Sequence, residues 1–430
     1  MRIIPKASGA AVELPKLIDR RKPGHTLEQS FYLDHDIFVH DQDLLDQKWR
    51  LVDHASRIPH AGDRIVVDLS ERDSYIIIRG TDQIIRAFHN VCRHRGSRLC
   101  DVGSATSRLI VCPYHSWSYE LDGKLKSARA MPPTFEPEEH GLIEVAVQVL
   151  AGLIFVSPDA TAAEFESEYG AFSEVLEFHG IADAKIAARQ TYPTSANWKL
   201  VVENFLECYH CTGAHPEYSA VHGRAKLEAF GAGPGSGDPA AVDAYADTLS
   251  TWKERVAELG HPKPLVESDH TANHMAQMSR TPIGTDRLSE TLDGDLACTR
   301  LLGRFRESDG GQTAFGFSPV GYLFANCDFA VMLTFRPRGQ LSTDVEAVWL
   351  VHPDAVEGTN YDVETLMGVW DATLRQDKKI TEDNQRGVSS QAYQPGPYAL
   401  SEARVDTFIQ WYLDGLSTTI SSTVRDHDEQ

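Results

Sequence analysis

Between residues 45 and 157 the apolar positions fall in short runs: Arg64-Ile65-Val66-Val67, Tyr75-Ile76-Ile77-Ile78, Ile84-Ile85-Arg86-Ala87-Phe88 and Leu109-Ile110-Val111. Gly80, Gly103 and Gly123 punctuate them, and short β-branched runs bounded by turn residues predict an all-β domain. Leu142–Val156, the longest apolar run, is too short to cross a bilayer and contains Glu144 and Gln148. It predicts two strands joined at Ala151-Gly152.

Residues 1–44 predict a polar, partly helical arm packing on the second domain, and from 158 the pattern mixes helix and strand. The Gly- and Pro-dense stretch 231–239 predicts a flexible insertion, with helices joined by loops following to about 300. Strands are expected at Gly321–Phe324, Phe329–Phe335 and Glu346–Val351, a long helix from near Val363, and a frayed tail at 421–430. The fold class expected is α+β: an all-β domain over 45–157, then a helix-and-antiparallel-sheet domain over 158–430.

The turn-rich part of the first domain carries Cys92-Arg93-His94 and Cys112-Pro113-Tyr114-His115, separated by seventeen residues. Each loop offers one thiolate and one imidazole. A structural zinc site also takes four Cys/His ligands, but usually as separate Cys and His pairs. A [2Fe–2S] cluster with two cysteines on one iron and two histidines on the other suits two mixed loops better.

A second set lies in NWKLVVENFLECYHCTGAH, residues 197–215. Asn197 is placed to cap a helix, and Glu203, Glu207 and His210 would share one helical stripe. His210 and His215 can face one metal only if the helix bends or ends between them, and Gly213 is the expected break. In the helix from Val363, the residues Leu366, Val369, Trp370, Thr373, Leu374 and Ile380 form an apolar stripe with Asp377 near its middle. A carboxylate there needs a cation, either a metal or a salt-bridging Lys378 or Arg375.

The formal net charge of −21 argues against a nucleic-acid partner, which requires a basic face. No apolar leader opens the chain, and no membrane association is expected. Five of the seven cysteines lie outside the paired loops without a disulfide framework, pointing to a reducing cytoplasm. Cys208 and Cys211, flanking His210, read as small packing residues.

With Gly96 and Trp117, the paired loops resemble Rieske domains of the lower-potential kind; Pro113 and Tyr114 stand where a second-loop disulfide cysteine would be needed. ENFLECYHCTGAH resembles the mononuclear-iron segment of Rieske non-haem oxygenase α subunits, and the resemblance extends over roughly residues 45–415. It implies Cys92, His94, Cys112 and His115 as cluster ligands and His210, His215 and Asp377 as Fe(II) ligands. Asp377 is favoured because the family places its carboxylate just upstream of a segment like Glu382–Gly387.

The same resemblance implies a head-to-tail homotrimer in which an acidic residue, here Glu207, bridges His115 of one subunit to His210 of the next. Many relatives have Asp there. Asn204, in the same segment, is assigned with Glu207 to the catalytic set. Electrons would come from NAD(P)H and flavin through a separate ferredoxin-type reductase.

ENFLECYHC and the stretch Gln385–Tyr412 are similar to the branch demethylating quaternary amines, above all glycine betaine. A small cationic methylamine and O2 are therefore the expected substrates. Stachydrine or carnitine demethylation, aromatic-ring hydroxylation and plain electron carriage are the alternatives.

Overall fold

A computed structural model of the chain describes residues 14–70, 72–159, 162–231, 239–263 and 275–428. The first β region forms a seven-stranded antiparallel sheet, in the order Arg50–His54, Leu153–Ser157, Glu144–Leu150, Ile85–His89, Ser74–Arg79, Asp63–Asp68 and Gly103–Thr106. Ile110–Val111, Ser118–Tyr119 and Leu125–Ser127 make a smaller three-stranded sheet.

Side chains alternate faces along a strand, which explains runs that are apolar at every position. Ile65, Val67, Tyr75 and Ile77 enter one core, whereas Val66, Ile76, Ile78 and Phe88 enter another. That second core also holds Cys92, Leu99, Cys112, Trp117 and Tyr119, so the sheet is the floor on which both loops rest. The run 142–156 forms two paired strands around Ala151-Gly152, both in left-handed conformation, with φ of 46° and 80°.

The second sheet has six antiparallel strands: Lys185–Thr194, Ser342–Val351, Phe329–Gly339, Gly321–Ala325, Gly311–Ser318 and Gln277–Pro282. One face, with Val331, Leu333, Phe335, Ala347 and Trp349, packs under the helices Trp198–Phe205, Val363–Val388 and Ala403–Asp428. The other, with Ala330, Met332, Val348 and Leu350, meets Trp49, Leu51, Leu153 and Phe155 from the first sheet's edge. These three helices therefore stand on a sheet buried on both sides.

Four expectations change. Gln277–Pro282 is a strand where helices and loops were expected, and Gly311–Ser318 precedes the first strand expected after 300. Gln277–Pro282 pairs on one side only, and its sequence QMSRTP has no apolar alternation to betray it. The amino-terminal arm is not polar where it packs: Leu14, Leu17, Leu27, Phe31, Tyr32, Ile37 and Leu44 are buried in the second domain's core. The tail is helical as far as Asp428. Residues 232–238 of the expected insertion lie outside the described residues.

Candidate metal centres

The two cysteine–histidine loops are built alike. Cys92 accepts a backbone hydrogen bond from Gly96 N–H at 3.0 Å, and Cys112 one from Ser116 N–H at 3.1 Å. Gly96 and Ser116 both take left-handed φ, 75° and 60°, which closes each loop tightly. Cys92 and Cys112 are each 2 % exposed, whereas His115 is open to solvent. The rings of His94 and His115 lie 4.6 Å apart, and His94 stacks on Trp117 at 4.8 Å.

The loops thus present a thiol pair at depth and an imidazole pair outside, the division an asymmetric two-iron cluster requires. The His94 Nδ1 atom is buried without a hydrogen-bond partner, as a nitrogen awaiting a metal would be. Burial works against the Cys112 thiolate, but backbone N–H groups of Tyr114 and His115 and the Ser97 side chain hold its pKa below the ordinary value. Tyr119 was not singled out from sequence: its hydroxyl lies 3.3 Å from Cys92 Sγ and accepts from Arg93 N–H at 3.1 Å.

Further along the chain, the helix Trp198–Phe205 starts at Asn197, whose side chain accepts from Lys199 N–H. It ends before Glu207, so Glu203 and Glu207 do not share a stripe; Glu203 is buried against Tyr32 Oη at 2.9 Å. A four-residue helical turn, Cys211–Ala214, follows, and Pro216–His222 begins a new helix. Gly213 lies inside the turn. The break falls at His215, φ −123° and ψ 80°, where the following proline disfavours helical backbone.

That break turns His215 toward His210. Their Nε2 atoms are 3.0 Å apart, and Asp377 Oδ1 lies 3.0 Å from His215 Nε2 and 3.4 Å from His210 Nε2. Adjacent ligands about 2.1 Å from one octahedral metal ion are separated by about 3 Å, so this triangle fits a single ion. Asp377 Oδ1 is buried without a hydrogen-bond partner. Neither salt-bridging alternative holds: Arg375 pairs with Asp371, and Lys378 with Glu382. Among the described residues this is the group of three metal-binding side chains that converges within 4.8 Å.

The other ring nitrogens are fixed by neighbours. His210 Nδ1 contacts Glu207 Oε1, and Glu207 Oε2 accepts from Tyr209 N–H. His215 Nδ1 donates to Gln376 Oε1 at 2.9 Å, and Gln376 Nε2 donates onward to Glu217 at 2.7 Å. Each contact occupies Nδ1 and leaves Nε2 facing Asp377. Burial lowers the pKa of His210, but the Asp377 and Glu207 carboxylates overcome it and push it up to about 9. Asn204 Nδ2 sits 3.4 Å from His210 Nε2. Gln376 escaped the sequence reading because its partner lies 161 residues away.

One expectation on cysteine is overturned. Cys208 and Cys211 form a disulfide, their Cα atoms 4.9 Å apart because Cys211 N–H bonds Cys208 C=O and folds the turn on itself. Cys211 is nevertheless buried, as a packing residue would be.

Residues 181–418 match the family model of the ring-hydroxylating α subunit catalytic domain, and residues 48–147 match the Rieske [2Fe-2S] domain. The chain is 36 % identical over 409 residues to the glycine betaine monooxygenase oxygenase subunit of Chromohalobacter salexigens, covering 94 % of this chain and 89 % of that one. The chain is a Rieske non-haem oxygenase α subunit. The corresponding Pseudomonas aeruginosa subunit is 35 % identical, covering 93 % of the oxygenase and 90 % of its relative.

A solved quaternary ammonium Rieske monooxygenase shares the oxygenase's fold with a TM-score of 0.68 at 22 % identity, covering 93 % of this chain and 97 % of that one. Naphthalene 1,2-dioxygenase from Rhodococcus sp. does so at 0.61 and 17 %, covering 91 % and 94 %. The oxygenase contains a Rieske [2Fe–2S] domain and a mononuclear-iron catalytic domain. No helix among the described residues is long and apolar enough to cross a membrane.

Proposed function

We propose that the oxygenase removes one N-methyl group from glycine betaine, giving dimethylglycine and formaldehyde. The observation that carries the iron chemistry is the triangle of His210, His215 and Asp377 with Glu207 on the rear nitrogen of His210. The substrate rests on relatives acting on glycine betaine that align with more than nine-tenths of the chain.

Cys92, His94, Cys112 and His115 would hold the cluster, and His210, His215 and Asp377 the iron. When bound, the cluster supplies electrons singly and the iron supplies dioxygen activation at its open positions. The chain's own residues orient and exclude. Glu207 and Gln376 hold the two imidazoles in the metal-binding tautomer, and Asn204 presents an amide beside His210. Phe205, Tyr322, Phe324 and Phe335 form one aromatic group, with Phe205 and Tyr322 rings 4.5 Å apart. Phe205 and Phe335 also line a small cavity beside Asp377, with Val201 and Leu374. Aromatic faces attract a permanent cation while excluding water.

The reaction balances as follows. One oxygen atom of O2 enters a methyl C–H bond; the other leaves as water, taking two electrons and two protons. The resulting carbinolamine breaks its C–N bond, releasing formaldehyde, dimethylglycine and a proton. The electrons would come from NAD(P)H through a flavin-containing, ferredoxin-type reductase.

Glu207 would link His115 of one subunit to His210 of the next in a head-to-tail homotrimer working in the cytoplasm. The exposed His115 and half-buried Glu207 leave both ends of that link accessible on a single chain.

The test is turnover with a reductase and NADH across glycine betaine, stachydrine, carnitine and aromatic acids. Formaldehyde and dimethylglycine matching NADH consumed are expected from glycine betaine. Formaldehyde only from another betaine would change the substrate, and a cis-diol from an aromatic acid would overturn demethylation.

A further inference from the structure

Neither the iron triangle nor the cluster uses the Cys208–Cys211 disulfide, although it spans the histidine at which they would meet. Glu207 precedes its first sulfur, and Tyr209 and His210 lie inside its loop. We propose that Cys208 and Cys211 form a reversible dithiol–disulfide site whose oxidised state locks the Glu207–His210 turn and whose reduction loosens its grip on the iron. The consequence for iron rests on the assignment of His210 as a ligand; the redox chemistry does not.

Hydrogen bonds also hold the turn: Cys211 N–H to Cys208 C=O at 3.2 Å, Gly213 and Ala214 N–H to His210 C=O at 3.0 and 2.9 Å, and His215 N–H and Ser219 Oγ to Cys211 C=O at 2.9 and 3.0 Å. The Glu207 carboxylate caps Tyr209 N–H and contacts His210 Nδ1. Without the S–S bond, the segment from Glu207 to Cys211 has no covalent cross-link and rests on these hydrogen bonds and on packing. A cross-link between residues three apart restricts the backbone carrying both the bridge carboxylate and the ligand ring.

The two sulfurs differ in access. Cys211 is 5 % exposed, Cys208 is half-buried, and Tyr209 between them projects to solvent at 67 % exposure. An incoming thiolate therefore meets Cys208 first and expels Cys211 as the leaving thiolate. With a dithiol reductant, its second thiol resolves the mixed disulfide. The reductant's two S–H groups become one S–S bond, and two electrons and two protons pass to Cys208 and Cys211. Docking of a neighbouring subunit at Glu207 would shield this edge, so small reductants should act faster than protein dithiols.

The experiment uses the iron-loaded oxygenase with a disulfide oxidant or a phosphine reductant. Thiols are alkylated under denaturing conditions and counted by mass, and Fe(II) release to a chelator is followed in parallel. The oxidised protein should protect a linked Cys208–Cys211 peptide, and reduction should open both thiols. Iron release should then rise about tenfold, the scale typical of losing support behind a metal ligand. The variant C208S/C211S should release iron at the reduced rate and ignore the phosphine, which controls for chelation by the reagent. Seven free thiols after oxidation would overturn the redox site. Equal iron release from oxidised and reduced wild-type protein would overturn its effect on the turn. Loss of iron from both forms before chelation, with the linked peptide present, would instead count against the ligand assignment.

Discussion

Glu207 and Gln376 give the two histidines unlike partners, one a carboxylate and the other an amide. An amide oxygen fixes a tautomer without adding charge, so His215 is oriented while its electron donation stays modest. Gln376→Leu should weaken Fe(II) binding by about 10–100-fold in a chelator competition, whereas Gln376→Glu should keep an acceptor and retain iron. Glu203, close in sequence but facing away, has a separate effect. Burial, against the Tyr32 hydroxyl and the Lys199 ammonium, pushes its pKa up from 4.5 to about 8. The fold therefore favours the protonated carboxyl: its contribution to stability is complete below pH 4.5 and is lost as pH rises toward 8. Glu203→Gln should remove that decline, so the difference in denaturation midpoint should shift toward the variant across this window.

At the scale of elements, one buried group ties three helices together. Asp41, on His35–Asp46, accepts from Trp198 Nε1 at 2.9 Å, from Tyr412 Oη at 2.6 Å and from the Lys199 ammonium. Asp41 and Lys199 are both fully buried. Asp41→Ala would leave an uncompensated charge and cost about 3–5 kcal/mol, measured by chemical denaturation; Asp41→Ala with Lys199→Met should recover part of it. The paired loops and the helix from Val363 were legible because chemistry and periodicity are local: fixed ligand spacings, β-branched runs and a carboxylate on an apolar stripe. The strand Gln277–Pro282, the break at His215 and the Gln376 contact were not, because each depends on a partner distant in sequence or on local backbone geometry. The disulfide was missed for a similar reason, since a C-x-x-C spacing does not say which way a turn folds.

For the whole molecule, the sheet buried on both sides joins the first domain to the helices carrying the iron triangle. The His115 edge is exposed, and a neighbouring subunit of the proposed trimer would bring its own Glu207 to it. If electrons cross between subunits, His115→Ala and His210→Ala chains should each be inactive alone. Co-expressed in one assembly, they should regain part of the formaldehyde yield; no recovery in assemblies shown to be mixed would place transfer within one chain.

The most direct measurement is a single turnover. Oxygenase with a reduced cluster and full Fe(II) is mixed with O2 and glycine betaine, and cluster oxidation is followed alongside formaldehyde. Wild-type protein should form formaldehyde as the cluster oxidises. Glu207→Gln, with unchanged metal content, should oxidise its cluster at least about tenfold more slowly, a barrier increase of ~1.4 kcal/mol. Equal rates in the two proteins would contradict a cluster and an iron coupled through Glu207.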